Sequence, residues 1–321
     1  MIHVPIPSTV PASTPAIKVV EVGPRDGLQN EVVEISLADK ERLINDLIEA
    51  GLSAIEIGSF VSPRWVRQMA NSEALAQSIR RRPGLNRIAL VPNLRGLEAA
   101  YDAGLDSIAI FAAATEAFSH ANLNASCEAS MDRFAAVAEE ALARGLRVRG
   151  YLSCAVHCPY EGWVSPAHVA GVADKLFRLG CYEVSLCDTT GAATPSRAKA
   201  MIASTRTAIP VNAIAVHFHD TYGQALANTL ACLDLGVTTV DSSVAGLGGC
   251  PYSPGASGNL ATEDLIYMLH GMGLGTGIDL SLLVEAGRSI SKVLGKAPAS
   301  RASAAISANK TVPQKICTIA E

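Results

Sequence analysis

Two rhythms of apolar and polar positions alternate along the chain. Short runs dense in β-branched and aliphatic residues come first, as in IKVVEV (17–22) and SAIEIG (53–58). Each is followed by a longer stretch with a helical apolar stripe, near 36–50 and from about 64 to 80. The series continues through RIALVP (87–92), DSIAIF (106–111), LRVRGYL (146–152), YEVSLC (182–187), IAVHFH (214–219) and TTVDSS (238–243). Apolar runs of this length, bounded by turn residues, read as buried strands, and the stretches between them read as amphipathic helices.

The phrases EAGLSAIEI, DAGLDSIAI, ARGLRVRGY, RLGCYEVSL and DLGVTTVDS repeat one unit: a helix end, a glycine (Gly51, Gly104, Gly145, Gly180, Gly236), then a strand. Eight strand-then-helix units at roughly 30-residue spacing predict an α/β protein, a (β/α)8 TIM barrel. An open dinucleotide-binding sheet is the rival, but GMGLGTG (271–277) follows a helix and has Thr276 where that fingerprint needs its third glycine. The chain divides into a Pro/Ser/Thr-rich arm expected to be disordered (1–16), a catalytic barrel (17–295) and a C-terminal tail (296–321). A helix near 280–295 and the Ala/Ser-rich tail form a short C-terminal helical extension.

Composition narrows the functional classes. The 321 residues are 49% hydrophobic and 17% charged, enough for a large core. A net charge of −4 leaves no electrostatic footprint for nucleic acid. No apolar run approaches the ~18 residues of a membrane span. The first residues lack both a basic segment and an apolar segment of a secretory signal. Eight scattered cysteines then suit free thiols in a reducing cytoplasm.

Catalytic residues of such barrels gather at the C-terminal ends of the strands. Those positions hold Arg25 and Asp26 after the first strand and Glu56 in the second. Asn93 follows the third, Thr115 lies beyond the fourth, Asp188 follows the sixth, and His217 and His219 close the seventh. Residues two apart on a strand share a face, so His217 and His219 point the same way. The HxH pattern alone fits satisfied core histidines as well as metal ligands. Asp26, near in a barrel where the first strand neighbours the eighth, favours the metal. Two imidazoles, a carboxylate and an amide oxygen, without thiolate, suit Mg²⁺ or Mn²⁺ better than structural zinc. CAVHC (154–158) has no second ligand pair at finger-like distance and reads as a loop.

VEVGPRDGLQNE (20–31), SFVSPRWVRQMA (59–70), HFHDTYGQALANT (217–229) and SSVAGLGGCPYSPGASGNLATE (242–263) resemble the 3-hydroxy-3-methylglutaryl-CoA lyases, metal-dependent barrel enzymes. The resemblance covers about 17–295 and implies retro-Claisen cleavage of a 3-hydroxyacyl-CoA to acetyl-CoA and acetoacetate. It implies metal ligation by Asp26, His217, His219 and Asn259. It gives Arg25 the stabilisation of the thioester enolate and Cys250, on a mobile loop, a part in proton transfer. Glu56, Asp188 and Gln29 match polar residues of the same site, and the likeness suggests a homodimer.

Several positions depart from the family pattern. Gly58 and Ser59 follow Glu56-Ile57 where a Thr-Ser-like pair is common, Cys187 replaces a glycine, Thr115 a serine, and Val32 a basic residue. With Gly58 opening space and Cys187 and Thr115 reshaping it, the acyl pocket has an alternative substrate, citramalyl-CoA or a longer-branched 3-hydroxyglutaryl-CoA. A Claisen-type synthase and a non-catalytic metal- or CoA-binding barrel are the other readings. The GGCPY loop argues against the first, and the number of titratable groups on one rim against the second.

Overall fold

The computed structural model describes residues 16–249 and 258–311, with side chains to 308. Eight parallel strands form the barrel: β1 (Lys18–Glu21), β2 (Ala54–Ser59), β3 (Asn86–Leu90), β4 (Ser107–Ala113), β5 (Arg147–Ser153), β6 (Glu183–Asp188), β7 (Ile214–Phe218) and β8 (Thr239–Ser242). They close in the order β1-β8-β7-β6-β5-β4-β3-β2, the TIM-barrel arrangement expected from the repeat.

The helices lie between the strands. They are α1 (Leu37–Glu49), α2 (Ser72–Ser78), α3 (Leu94–Asp102), α4 (Glu116–Leu123), α5 (Cys127–Ala143), α6 (Pro166–Arg178), α7 (Pro195–Thr205), α8 (Ala225–Leu233), α9 (Thr262–Gly271), α10 (Leu280–Leu294) and α11 (Arg301–Thr311). Their starts follow from side chains: Ser36, Asn93, Ser126 and Asp279 each accept a hydrogen bond from a backbone N–H of the first turn. Their ends follow from the turn glycines. Gly51 has φ 99°, and a Cβ there would stand 2.2 Å from the Gly277 carbonyl oxygen, so only glycine fits.

Strand parity separates two apolar populations. Val19, Ile55, Ile108, Val184, Val216 and Val240 face outward into the main core beneath the helices. Val20, Val22, Ala54, Ile88, Leu90, Ala109, Tyr151 and Cys187 form a smaller cluster in the bore. The bore is therefore only partly apolar, and its other inward positions are polar or charged, among them Glu56, Arg149, Ser185, His217 and Asp241.

Three elements differ from the sequence expectation. The helix expected from about 64 is a 3₁₀ turn (Arg67–Met69) followed by the short α2. Gln68 turns inward there, its Nε2 donating to the carbonyls of Glu31 and Val33, while Lys40 Nζ donates to the Asn71 Oδ1. These competing bonds replace helix propagation. The loop after β5 contains a small antiparallel ladder, His157–Cys158 against Gly162–Trp163. In the tail, α11 is anchored by Asp264, whose Oδ1 accepts from the Ala302 N–H at 2.7 Å and the Ser300 hydroxyl at 2.7 Å. Among the described residues, no helix is long and apolar enough to cross a membrane.

Candidate active site

The chain leaves β1 through one π-helical turn, Gly23–Gly27, which carries Arg25 and Asp26 over the barrel mouth. Buried Glu21 holds this turn by accepting from the Gly23 N–H at 2.7 Å. The same oxygen accepts from the Val244 N–H at 2.9 Å, tying the β1 turn to the loop after β8. Arg25 then donates from Nε to Glu56 Oε2 at 2.8 Å and from Nη1 to Asp26 Oδ1 at 2.7 Å. Tyr151 lies under the guanidinium, 5.6 Å from ring centre to Cζ, and its hydroxyl donates to Glu56 Oε2 at 3.3 Å.

His217 ends β7 facing the bore, and His219 follows on the same side with ring centres 5.4 Å apart. Asn259 comes back from the β8 loop and forms a bridge with His219. Its Nδ2 donates to Asp26 Oδ2 at 2.9 Å and to the Leu247 carbonyl at 3.0 Å. Asp26, His217 and His219 offer ligand atoms that all lie within 4.8 Å of one another. Asn259 is 3% exposed, and its Oδ1 has no hydrogen-bond partner among the described residues. A buried amide oxygen without a donor beside two imidazoles and a carboxylate fits a divalent cation.

The electrostatics sort the acids. Burial raises Glu56 against the opposing pull of Arg25. Burial acts on Asp26 in the same sense, but Arg25, His217 and His219 hold it down at about 2. Asp26 is therefore an anion at neutral pH beside two rings able to donate lone pairs.

Among the other expected site residues, Gly58 faces away from the bore. The Asp188 Oδ2 accepts from the Ala193 N–H at 2.9 Å on its own loop, while its Oδ1 is buried without a hydrogen-bond partner among the described residues and the carboxylate feels the His217 ring. It is paired with outward-facing Phe218, and burial raises it to about 6. Gly58 does not open the mouth: after a bulge in β2 it pairs with outward-facing Ala89. A Cβ there would meet Ser72 Oγ on α2 at 2.6 Å. Ser59 is buried, its N–H donating to that same Ser72 hydroxyl at 3.0 Å. Thr115 donates to Cys158 Sγ at 3.1 Å at the start of α4. Gln29 is half-buried just beyond the π turn. Asn93 is an exposed N-cap whose side chain accepts from the Gly96 N–H. Cys250 lies outside the described residues.

Glycines on the described sides of that loop have a packing reason. A Cβ on Gly258 would meet the Gly246 carbonyl oxygen at 2.1 Å, and one on Gly248 would meet Asn259 Nδ2 at 2.5 Å. They let two backbone segments press together around Asn259.

Sequence reasoning passed over Asp241, Arg149 and Tyr151, all inside the bore. Arg149 donates from Nη2 to Asp241 Oδ1 at 2.7 Å and from Nε to Glu183 Oε2 at 2.7 Å. Asp241 Oδ2 lies 3.4 Å from His217 Nδ1. The signal was present in the strands: TTVDSS and LRVRGYL place a charge at an inward alternate position of an otherwise apolar run.

A closed parallel barrel with its ionisable groups gathered at the C-terminal mouth defines a TIM-barrel enzyme. A sequence profile of the HMGL-like family matches residues 16–290, and the chain belongs to that family. The mitochondrial hydroxymethylglutaryl-CoA lyase of Pongo abelii is 55% identical over 285 residues, 89% of this chain and 88% of that protein. The 3-hydroxy-3-isohexenylglutaryl-CoA/hydroxy-methylglutaryl-CoA lyase of Pseudomonas aeruginosa is 53% identical over 290 residues, 90% of this chain and 97% of its own. The crystal structure of hydroxymethylglutaryl-CoA lyase from Pseudomonas aeruginosa matches with a TM-score of 0.90 at 53% identity, covering 92% of this chain and 99% of the other.

Proposed function

We propose that this protein is a carbon–carbon lyase that cleaves 3-hydroxy-3-methylglutaryl-CoA to acetyl-CoA and acetoacetate. The observation that carries the reading is the convergence of Arg25, Asp26, His217, His219 and the unpartnered Asn259 Oδ1 at one mouth, in a chain 53–55% identical to lyases named for that substrate.

In the reaction the C3 hydroxyl loses its proton, the C2–C3 bond breaks, and its electron pair passes to the thioester as an enolate. C3 becomes the ketone of acetoacetate, and the enolate carbon takes a proton to give acetyl-CoA. Arg25 is suited to hold the thioester oxygen, because Glu56 and Asp26 engage Nε and Nη1 and fix the plane of the guanidinium. A preset donor at a developing oxyanion stabilises the transition state without reorganisation. The hydroxyl proton leaves to solvent water, Cys250 is assigned the return of a proton to carbon, and His217 acts through the cation it would hold. Gln29, Ser59 and Thr115 are assigned to the surroundings of the acyl group, and Glu56 acts by holding Arg25.

Asp26, His217, His219 and Asn259 would hold Mg²⁺ or Mn²⁺, which when bound lowers the pKa of a coordinated hydroxyl. The family likeness supports a homodimer, and the free thiols Cys154, Cys158, Cys181, Cys187 and Cys232 support a reducing compartment, for which we assign the cytoplasm. The citramalyl and longer-branched alternatives lose their main support, since Gly58 faces α2 and adds nothing to the pocket.

Product analysis over a panel of 3-hydroxyacyl-CoA esters tests the assignment. Equal amounts of acetyl-CoA and acetoacetate from the methylglutaryl ester are expected, abolished by EDTA and restored by Mg²⁺ or Mn²⁺. Free CoA in their place, or a clear preference for another ester, would overturn it.

A further inference from the structure

The His217 ring has a carboxylate on each side. Its Nε2 lies 4.0 Å from Asp26 Oδ2, on the side of the mouth, and its Nδ1 lies 3.4 Å from Asp241 Oδ2, on the side of the bore. Tyr151 stands edge-on to the imidazole at an interplanar angle of 86°. Asp241 is 1% exposed and cannot swing. Arg149 grips both its oxygens, Nη2 to Oδ1 at 2.7 Å and Nη1 to Oδ2 at 3.1 Å, and the Ser185 hydroxyl donates to Oδ2 at 2.7 Å. Arg149 is fixed in turn through Nε to Glu183, which also accepts from Lys18 Nζ at 2.9 Å and the Thr239 hydroxyl at 3.0 Å. A continuous set of bonds thus runs from the N-terminal end of the barrel to Asp241, whose Oδ2 stands 3.4 Å from one imidazole at the mouth.

We propose that Asp241 is the positioning residue for His217, its Arg149- and Ser185-locked carboxylate holding the imidazole as the Nδ1–H tautomer with the Nε2 lone pair presented to the cation site. A carboxylate bound to an arginine is acceptor-only, so the proton between Oδ2 and Nδ1 belongs to the ring. A ring nitrogen held this way leaves the other nitrogen as the ligand, and losing such a support typically weakens metal binding ~10–100-fold. The inference rests on Asp26, His217, His219 and Asn259 forming the cation site, and its test separates the two ideas.

Mn²⁺ affinity of the full-length protein, read from the EPR signal of free Mn²⁺ in a titration, is compared in wild type, Asp26→Asn, Asp241→Asn and Ser185→Ala, with far-UV circular dichroism and melting temperature alongside. Asp26→Asn should lose binding, Asp241→Asn should weaken it ~10–100-fold, and Ser185→Ala should show a smaller loss in the same direction. A merely structural Asp241 would lower the melting temperature and leave Mn²⁺ affinity alone. Wild-type affinity in a folded Asp241→Asn beside a dead Asp26→Asn overturns this inference and spares the cation site. Wild-type affinity in both removes the cation site and this inference with it. If Asp241→Asn does not fold, ¹⁵N-histidine NMR of the metal-free wild type at a pH where the ring is neutral decides. An Nδ1–H signature for His217 supports the proposal, and an Nε2–H signature ends it.

Discussion

The barrel encloses two groups of charge that obey opposite rules. Toward the N-terminal ends of the strands, Arg149 sits fully buried between Asp241 and Glu183, and Lys18, Ser185 and Thr239 supply further donors to these carboxylates. At the C-terminal mouth, Glu56 Oε1 and Asn259 Oδ1 are buried without a hydrogen-bond partner among the described residues, although Arg25, Asp26 and His217 crowd around them. A satisfied buried charge specifies a fold, whereas a buried acceptor left open beside such neighbours is shaped for a visitor. Burial alone does not tell structure from function here. Open acceptors clustered among ionisable side chains mark the mouth.

The largest effects should fall on the two arginines and should differ in kind. Arg149→Met leaves Asp241 and Glu183 buried without their main counter-charge, and a loss of about 3–5 kcal/mol in folding stability is expected. Urea unfolding measures it, and a variant as stable as wild type would remove the distinction between the two groups. Arg25→Met leaves buried Glu56 without its partner and so loses stability too, but its distinguishing effect should be a ~10²–10³-fold fall in kcat, the usual effect of losing one oxyanion donor. Arg25→Lys should rescue little, because an ammonium cannot span Glu56 and Asp26 from two fixed nitrogens. A Lys variant near wild-type kcat would show that charge alone suffices.

The same contrast explains what the sequence disclosed. The barrel was legible because its repeat is local: helix end, glycine, strand. The rim was legible because polar residues break the apolar runs at strand ends, and HFH puts two imidazoles on one face by parity alone. Asp241 and Arg149 went unread although they break the same alternation, because they lie within their strands, not beyond them, and no local rule pairs residues 92 apart in the chain. Gly58 was misread for a different reason. A bulge between Glu56 and Gly58 shifts the register, so parity counted from Glu56 sends its Cβ to the wrong side. Asp188 likewise shares the outward parity of Phe218, which counting inward from Cys187 would have shown.

Gly58 offers a sharper test of inside against outside, with a smaller effect. A Cβ added there stands 2.6 Å from Ser72 Oγ and 2.9 Å from Ser72 Cβ, so Gly58→Ala should destabilise by roughly 1–3 kcal/mol through overpacking against α2. The ratio of kcat/KM between methylglutaryl-CoA and longer-branched esters should not move. Adding Ser72→Gly should recover part of the loss, since the two changes share one contact. A shift in substrate preference without loss of stability would return Gly58 to the pocket.

The effect spread most gradually, over a range of pH, concerns two acids that belong to neither group. Glu21 and Glu263 lie buried behind the mouth, bracing the segment after β8 through the N–H groups of Val244 and Ala245. Burial raises Glu263 from an ordinary 4.5 to about 8 and Glu21 from 4.5 to about 7. The folded protein therefore keeps protons that the unfolded chain has already released. Their contribution to stability is complete below about 4.5 and fades as the pH rises through about 7 and then 8. Asp26 has the opposite sign: it is held at about 2, so its contribution is present above its ordinary 3.8 and lost only as the pH falls through about 2. Between about pH 5 and 8 the acid behind the mouth should thus shape the slope more than the acid in it. Glu263→Gln keeps an oxygen for the Ala245 N–H and cannot ionise, so urea unfolding across that range should give a flatter stability curve than wild type. Curves of equal slope would mean that Glu263 is ionised in the folded protein, and that the wall behind the mouth tolerates charge as readily as the mouth itself.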